Sequence, residues 1–149
     1  MEKIEFIKNK AIETLDYIGA SAKVDVTDTG ENFEVSISGD NLNFLIGFRG
    51  ESLYGFQMML QSMYFKNFAE WKHIDLDISG YKKSRSDKLE EMTKNCIDRV
   101  RFTQSEVEMP PLSPSERRLV HIFVTGYDDI ESESIGEGPD RRIVLKKKD

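Results

Sequence analysis

Cysteine is almost absent from this sequence of 149 residues, because Cys96 is the only one. A single thiol excludes an internal disulfide and is typical of a protein in a reducing cytoplasm. Neither Cys96 nor the two histidines, His73 and His121, stand at the spacing of a metal-ligand motif. The sequence therefore predicts a cytoplasmic protein without a disulfide, a metal site or a cofactor.

Long hydrophobic runs and catalytic motifs are also missing. No apolar run approaches the ~20 residues that a membrane span needs, and the first residues, MEKIEFIKNKAIETL, are amphipathic rather than typical of a signal peptide. We find no nucleophile motif and no phosphate-binding loop of the form G-x-x-x-x-G-K-[ST]. These absences predict a protein that neither spans a membrane nor acts as an enzyme.

An overall positive charge, which general nucleic-acid binders need, is lacking as well. The formal net charge is -6, and phosphate binding depends on clustered Lys and Arg. The charge is uneven, however, because residues 80–105 hold seven Lys and Arg against four Asp and Glu. A local basic zone can act over the Debye length of ~8 Å whatever the total charge.

The first half of the chain shows a regular succession of helix and strand patterns. Apolar residues at helical spacing predict an N-terminal helix that stops at Gly19, and two alternating segments, AKVDVTD and NFEVSISG, predict a hairpin. A short helix in DNLNFLIG, a helix over 51–66 and a strand in HIDLDIS follow. The predicted core stripe of the second of these helices is Leu53, Phe56, Leu60 and Met63. The order is αββααβ, and we assign it to a first domain over residues 1–79.

A second domain is predicted over residues 80–149. It begins with a long helix whose apolar stripe is Leu89, Met92, Cys96 and Val100, and a proline-rich break follows. Ser113 or Ser115 can cap a helix over about 114–124, with Glu116 as a capping-box partner. The end predicts two short strands around an acidic loop, DDIESESIGEGPD. The fold class is therefore α+β, with a small α/β second module.

The loop Gly47-Phe48-Arg49-Gly50 lies between the two consecutive helices of the first domain. Glycines allow close approach of a ligand to the backbone, and the helix that follows offers free amide groups. By itself this loop has an alternative interpretation as a plain tight turn. Its place in an αββααβ module is the layout of a type II KH domain, whose loop clamps about four nucleotides of backbone.

A second candidate site is the segment SERRLVHIF. Arg117 and His121 are four residues apart, so they project from one face of a helix, and together they can contact successive phosphates. Arg118 is adjacent, and Arg141 and Arg142 come from the last strand region. The alternative is a solvated basic face with no ligand.

Together the segments LIGFRGESL, MPPLSPSERRLVH and GEGPDRRIVL resemble the Jag (SpoIIIJ-associated, KhpB-like) family, in which a KH domain is followed by an R-three-H domain. The resemblance implies that the loop and the Arg117/His121 pair bind single-stranded RNA or DNA. It also implies a second small KH protein as a partner and a link to cell elongation and division. Two departures from the family are visible: the separate N-terminal Jag domain is missing, and Ser115 replaces a usual aromatic. In addition, Phe48 stands where a second basic residue is common in KH loops.

Two functional hypotheses follow from these features. The first is a single-stranded RNA-binding protein that acts in post-transcriptional regulation linked to envelope growth and division. The second is a protein-interaction module that docks a second KH protein or an envelope regulator through a surface near Tyr54 and Met58, with nucleic acid secondary. A homodimer through the KH face is a further expectation. The predicted nucleic-acid-binding residues are Gly47, Phe48, Arg49, Gly50, Arg117, Arg118, His121, Arg141 and Arg142.

Overall fold

Two units, Met1–Lys82 and Lys83–Asp149, make up the computed structural model, which describes all residues of the chain. The helices and strands of the first unit are α1 (Glu2–Tyr17), β1 (Lys23–Asp28), β2 (Asn32–Ser38), α2 (Asn43–Ile46), α3 (Glu51–Phe68) and β3 (His73–Ile78). Those of the second are α4 (Tyr81–Thr103, which starts within the first unit), β4 (Val107–Glu108), α5 (Pro114–Val124), β5 (Ile130–Ile135) and β6 (Arg142–Lys147). The predicted α+β class and the αββααβ order of the first module are confirmed.

The first unit has a three-stranded sheet with β2 in the centre, antiparallel to β1 and parallel to β3. The alternation read from the sequence places Phe33, Val35 and Ile37 of β2 on one face, and all three are buried. The helices α1 and α3 cover this face and complete the core. A strand with one apolar face needs such a cover, which explains why amphipathic helices flank the hairpin.

The free edge of β3 is closed by glutamine side chains of α3. The Gln61 side chain donates from Nε2 to the Lys72 carbonyl (2.6 Å) and accepts from the Ile74 N–H (2.7 Å). Gln57 accepts from the Leu76 N–H at 2.9 Å. Since buried backbone groups must find partners, these amides replace the strand that is missing at this edge.

The predicted core stripes of α3 and α4 need correction. On α3, Met63 is half-buried and Tyr64 is buried in its place. On α4 the predicted Met92 and Cys96 are half-buried, and the adjacent Thr93 and Ile97 are buried instead. A stripe can advance by three or four residues at each turn, so the choice depends on the partner surface. Thr93 fits the core because its hydroxyl donates to the Leu89 carbonyl (2.7 Å).

The second unit has a sheet in which β6 pairs antiparallel with both β4 and β5. The two-residue strand β4 was not predicted. The prediction that the run DDIESESIGEGPD is a solvated loop is wrong, because Ile130–Ile135 within it forms the strand β5. Its alternation carries Ser132 and Ser134 on one face and Glu131 and Glu133 on the other, where both carboxylates pair with Lys146.

We expect Gln61→Met to lower the free energy of unfolding of the first unit by about 1–3 kcal/mol, because the Ile74 N–H and the Lys72 carbonyl lose their partner. Hydrogen exchange should quicken at the Ile74 amide. Asn67→Met, an exposed position on the same helix, is the matched control and should change stability by no more than about 0.5 kcal/mol. Equal exchange rates at Ile74 in both variants would contradict this role of Gln61.

Candidate nucleic-acid interface

The loop Gly47–Gly50 consists largely of backbone in the left-handed region. Gly47 has φ 71° and Gly50 has φ 80°, while Arg49 adopts φ 53° and ψ 27° between them. The Gly50 N–H donates to the Gly47 carbonyl at 3.3 Å and closes a four-residue turn. Glycine takes such angles without steric cost, and Arg49 is the one loop residue with a side chain that is held there.

Close packing is a second reason, besides the backbone angles, why positions 47 and 50 need glycine. A Cβ at Gly50 would lie 2.9 Å from the ring of Tyr81 and 3.1 Å from that of Tyr54. A Cβ at Gly47 would lie within 3.0 Å of the backbone nitrogen of Ser52. The loop therefore sits directly on the start of α3 and on two aromatic rings, at distances that exclude a larger residue.

The loop carries two side chains, Phe48 and Arg49. The Phe48 ring is exposed, and the guanidinium of Arg49 lies over it with its central carbon 4.6 Å from the ring centroid. The helix α3 begins at Glu51 immediately after the loop. Its first amide groups and its partial positive charge favour an anion, and Glu51 offsets part of that charge.

The second unit contains a groove of about 350 Å³ beside α5. Its lining is formed by Pro114, Arg117, Arg118, His121, Ile122, Thr125, Ser134 and Arg141. Three arginines thus line the groove together with one histidine, and all four of these residues belong to the predicted site. Arg142 does not line this groove: its Nε donates to Glu108 (3.1 Å) and its Nη1 donates to the Asp140 carbonyl (3.0 Å).

The start of α5 is fixed by a network around Glu116. Ser113 caps the helix by accepting from the Glu116 N–H (3.3 Å), which selects it over Ser115. The Glu116 carboxylate is buried; it accepts from the Ser113 hydroxyl at 3.0 Å and from Arg85 Nε and Nη2, each at 2.7 Å. Glu116 therefore does more than the predicted capping box requires, because it also ties α5 to α4.

Arg117 is held close to this helix start. Its Nη1 donates to the Leu112 carbonyl at 2.6 Å, one residue before the cap. The opposite wall of the groove contributes Arg141, whose Nη1 donates to the Gly136 carbonyl at 3.1 Å. Both guanidinium groups keep further N–H donors, because each has five and only one is used in these bonds. The arrangement suits an anion that lies between them.

His121 lies between two serine hydroxyls of β5. Its Nδ1 is 2.6 Å from the Ser132 oxygen, and its Nε2 is 3.1 Å from the Ser134 oxygen. Partial burial and the nearby charge of Arg117 lower the pKa of His121 below its ordinary value. The lowered pKa favours the uncharged ring at pH 7, so the positive charge of the groove comes mainly from arginine. The feature of the sequence that could have indicated this contact is the two-residue spacing of Ser132 and Ser134, which places both on one face of a strand.

We expect the stability of the second unit to fall as the pH drops from 7.5 to 5.5. The unfolded chain binds a proton at His121 near pH ~6.5, and the folded chain binds it only at lower pH, so acid favours unfolding in this window. Chemical denaturation at several pH values measures the effect, and His121→Gln should flatten it. His73→Gln, which removes the other, exposed histidine, is the control; a curve flattened equally in both variants would refute the assignment.

We also expect Arg85→Met to destabilise the second unit by about 1–3 kcal/mol, because the buried Glu116 carboxylate loses two hydrogen bonds. Thermal unfolding measures this loss. The double variant Arg85→Met/Glu116→Met should recover part of it, since no unpaired charge is then buried. A double variant that is less stable than Arg85→Met would show that Glu116 does not need Arg85.

Comparison with known proteins agrees with this arrangement. The family model of the R-three-H domain matches residues 87–147. The chain is 28% identical to the RNA-binding protein KhpB of Clostridium symbiosum, over 97% of this chain and 68% of that protein. It is 26% identical to the RNA-binding protein KhpB of Bacillus subtilis (strain 168), over 99% of this chain and 74% of that protein.

Two further observations concern what the structure does not contain. None of its helices combines the length and the apolar character needed to cross a membrane. No three His, Cys, Asp or Glu side chains come together in a way that could hold a metal ion. The chain is a homologue of the KhpB proteins and carries an R-three-H domain, so its resemblance to the Jag, or KhpB-like, family is confirmed.

Proposed function

We propose that this chain is a non-enzymatic protein that binds single-stranded RNA through both of its units. The observation that carries the proposal is the groove beside α5, which Arg117, Arg118 and Arg141 line together with His121. Guanidinium groups match phosphate oxygens in shape and charge. The names of the relatives, RNA-binding protein KhpB, support RNA over DNA as the ligand.

The groove fits a nucleotide strand because it combines charge with apolar and hydrogen-bonding surface. Phosphates would contact the arginines, and the uncharged His121 ring offers a face for a base or a sugar. Ile122 and Pro114 supply an apolar wall. Contacts of this kind fix the position of the strand and leave most of the sequence unread, because phosphates carry no base information.

The loop Gly47–Gly50 would supply the second contact. Its backbone approaches a ligand closely, and Arg49 together with the first turn of α3 attracts a phosphate. Each site alone holds few nucleotides and would be weak. Binding by two linked sites raises the overall affinity, because the second contact becomes intramolecular.

The biological role that fits this activity is post-transcriptional regulation in the cytoplasm, connected with growth and division of the cell envelope. This finer assignment comes from the family resemblance. Crosslinking and sequencing of the RNA bound in cells, with an Arg49→Ala/Arg117→Ala/His121→Ala control, would identify the transcripts. Recovery of the same RNA by both proteins would contradict a role for these residues.

A second candidate function is docking of another protein, and the outer face of α3 favours it. Tyr54, Met58 and Phe65 of this helix are exposed, and Trp71 lies against Phe65 at a centroid distance of 6.4 Å. A second small KH protein, an envelope regulator or a second copy of the chain are the occupants that this hypothesis considers. Binding through an apolar face should survive salt that removes RNA, since counterion release weakens only the phosphate contacts.

We expect Arg49→Ala/Arg117→Ala to weaken binding of short single-stranded RNA by about tenfold or more, because a phosphate contact is lost at each site. Fluorescence anisotropy over a series of salt concentrations should also show a shallower salt dependence. As a matched pair within the second unit, Arg141→Ala should weaken binding more than Arg142→Ala, whose guanidinium already pairs with Glu108. Wild-type affinity in the double variant would disprove the proposed function.

A further inference from the structure

We propose that Phe48 stacks on an unpaired base, so that the loop Gly47–Gly50 binds bases as well as phosphates. The inference rests on the proposed function, and it adds the chemistry by which this site distinguishes a single strand. It concerns a position where the family resemblance leads one to expect a basic residue, so the aromatic ring calls for its own explanation.

The first observation is the exposure of the ring. Phe48 is 70% exposed and lies within the loop, between Gly47 and Arg49. Neither core cluster includes it, so the fold gains little from an aromatic side chain at this position. A ring in water at the tip of a rigid turn is available to a flat ligand, and burying it under a base would remove apolar surface from water.

The second observation is the position of Arg49. Its guanidinium lies over the Phe48 ring at 4.6 Å, within the range of a cation–π interaction. The contact ties the charged group to the ring and limits the freedom of both side chains before any ligand binds. Charge and stacking surface are therefore held together at one point of the loop.

The third observation is the close packing of the backbone that carries the pair. Arg49 is held at φ 53° between two glycines, and Gly50 is buried against Tyr54 and Tyr81. The packing of Gly50 restricts the turn, and this limits the directions in which Phe48 can project. Stacking on a preorganised ring costs less conformational entropy than stacking on a mobile one.

The ligand that these features fit is a single nucleotide step of an unpaired strand. Its phosphate can reach Arg49 and the amides at the start of α3, and its base can lie on Phe48. A base inside a duplex is stacked on its neighbours and cannot offer its face in this way. Stacking accepts any base, so Phe48 adds selectivity for single strands and little sequence preference.

The test compares an RNA with a chain of equal charge that has no bases. Octauridylate and octaadenylate are measured beside an abasic ribose–phosphate octamer, with the full-length protein and fluorescence anisotropy. Phe48→Leu should weaken binding of both RNAs by about fivefold or more, the usual effect of losing one stacked base. It should leave binding of the abasic chain unchanged, and Phe48→Tyr should restore most of the RNA affinity.

Two control variants separate this inference from the proposed function. Phe65→Leu removes another exposed ring, which lies on α3 fifteen residues beyond Gly50, or about 22 Å along the helix. This variant should leave the affinity for the RNAs and for the abasic chain unchanged. Arg49→Ala should weaken RNA and abasic chain alike. If Phe48→Leu has no effect, or weakens the abasic chain as much as the RNAs, the stacking role is wrong, while an Arg49→Ala effect would leave the proposed function intact.

Discussion

The hydrogen bonds that the Glu116 carboxylate accepts from Arg85 and Ser113 determine where α5 begins, and the groove depends on that position. Arg117 follows Glu116 directly and binds the Leu112 carbonyl, so its guanidinium is placed by the same turn of chain. The histidine of the groove stands one turn further along the same face and reaches the serines of β5. One buried carboxylate thus links the start of the basic face of α5 to α4.

The loop of the first unit is held by a different constraint, which is steric. At Gly47 and Gly50 the backbone angles and the close neighbours both exclude a Cβ atom. Polar contacts play the larger part further along α3, where Gln57 and Gln61 satisfy the edge of β3. The same helix therefore positions the loop at its start and closes the sheet along its length.

Most of the fold could be predicted from the sequence because its signals are local, such as the two-residue alternation of β1, β2 and β3. The errors lie where a facing surface chooses between adjacent residues: Met63 and Tyr64 both suit a helical stripe, and only the shape of the sheet selects Tyr64. The sequence indicated which residues form the site, and it did not indicate which partners those residues contact. Nothing local marks Arg85 as the partner of Glu116, 31 positions away. The neutral state of His121 depends on burial, which the sequence does not reveal.

The alternation of β5 keeps its two glutamates on the opposite face of the strand from its two serines. Ser132 and Ser134 face the histidine, whereas Glu131 and Glu133 point to the other side of the sheet and pair with Lys146. A shift of one residue in the register of this strand would bring glutamates to the histidine in place of serines. Carboxylates in the groove would pair with Arg117, Arg118 and Arg141 and occupy their N–H donors, so the register of β5 keeps the groove basic.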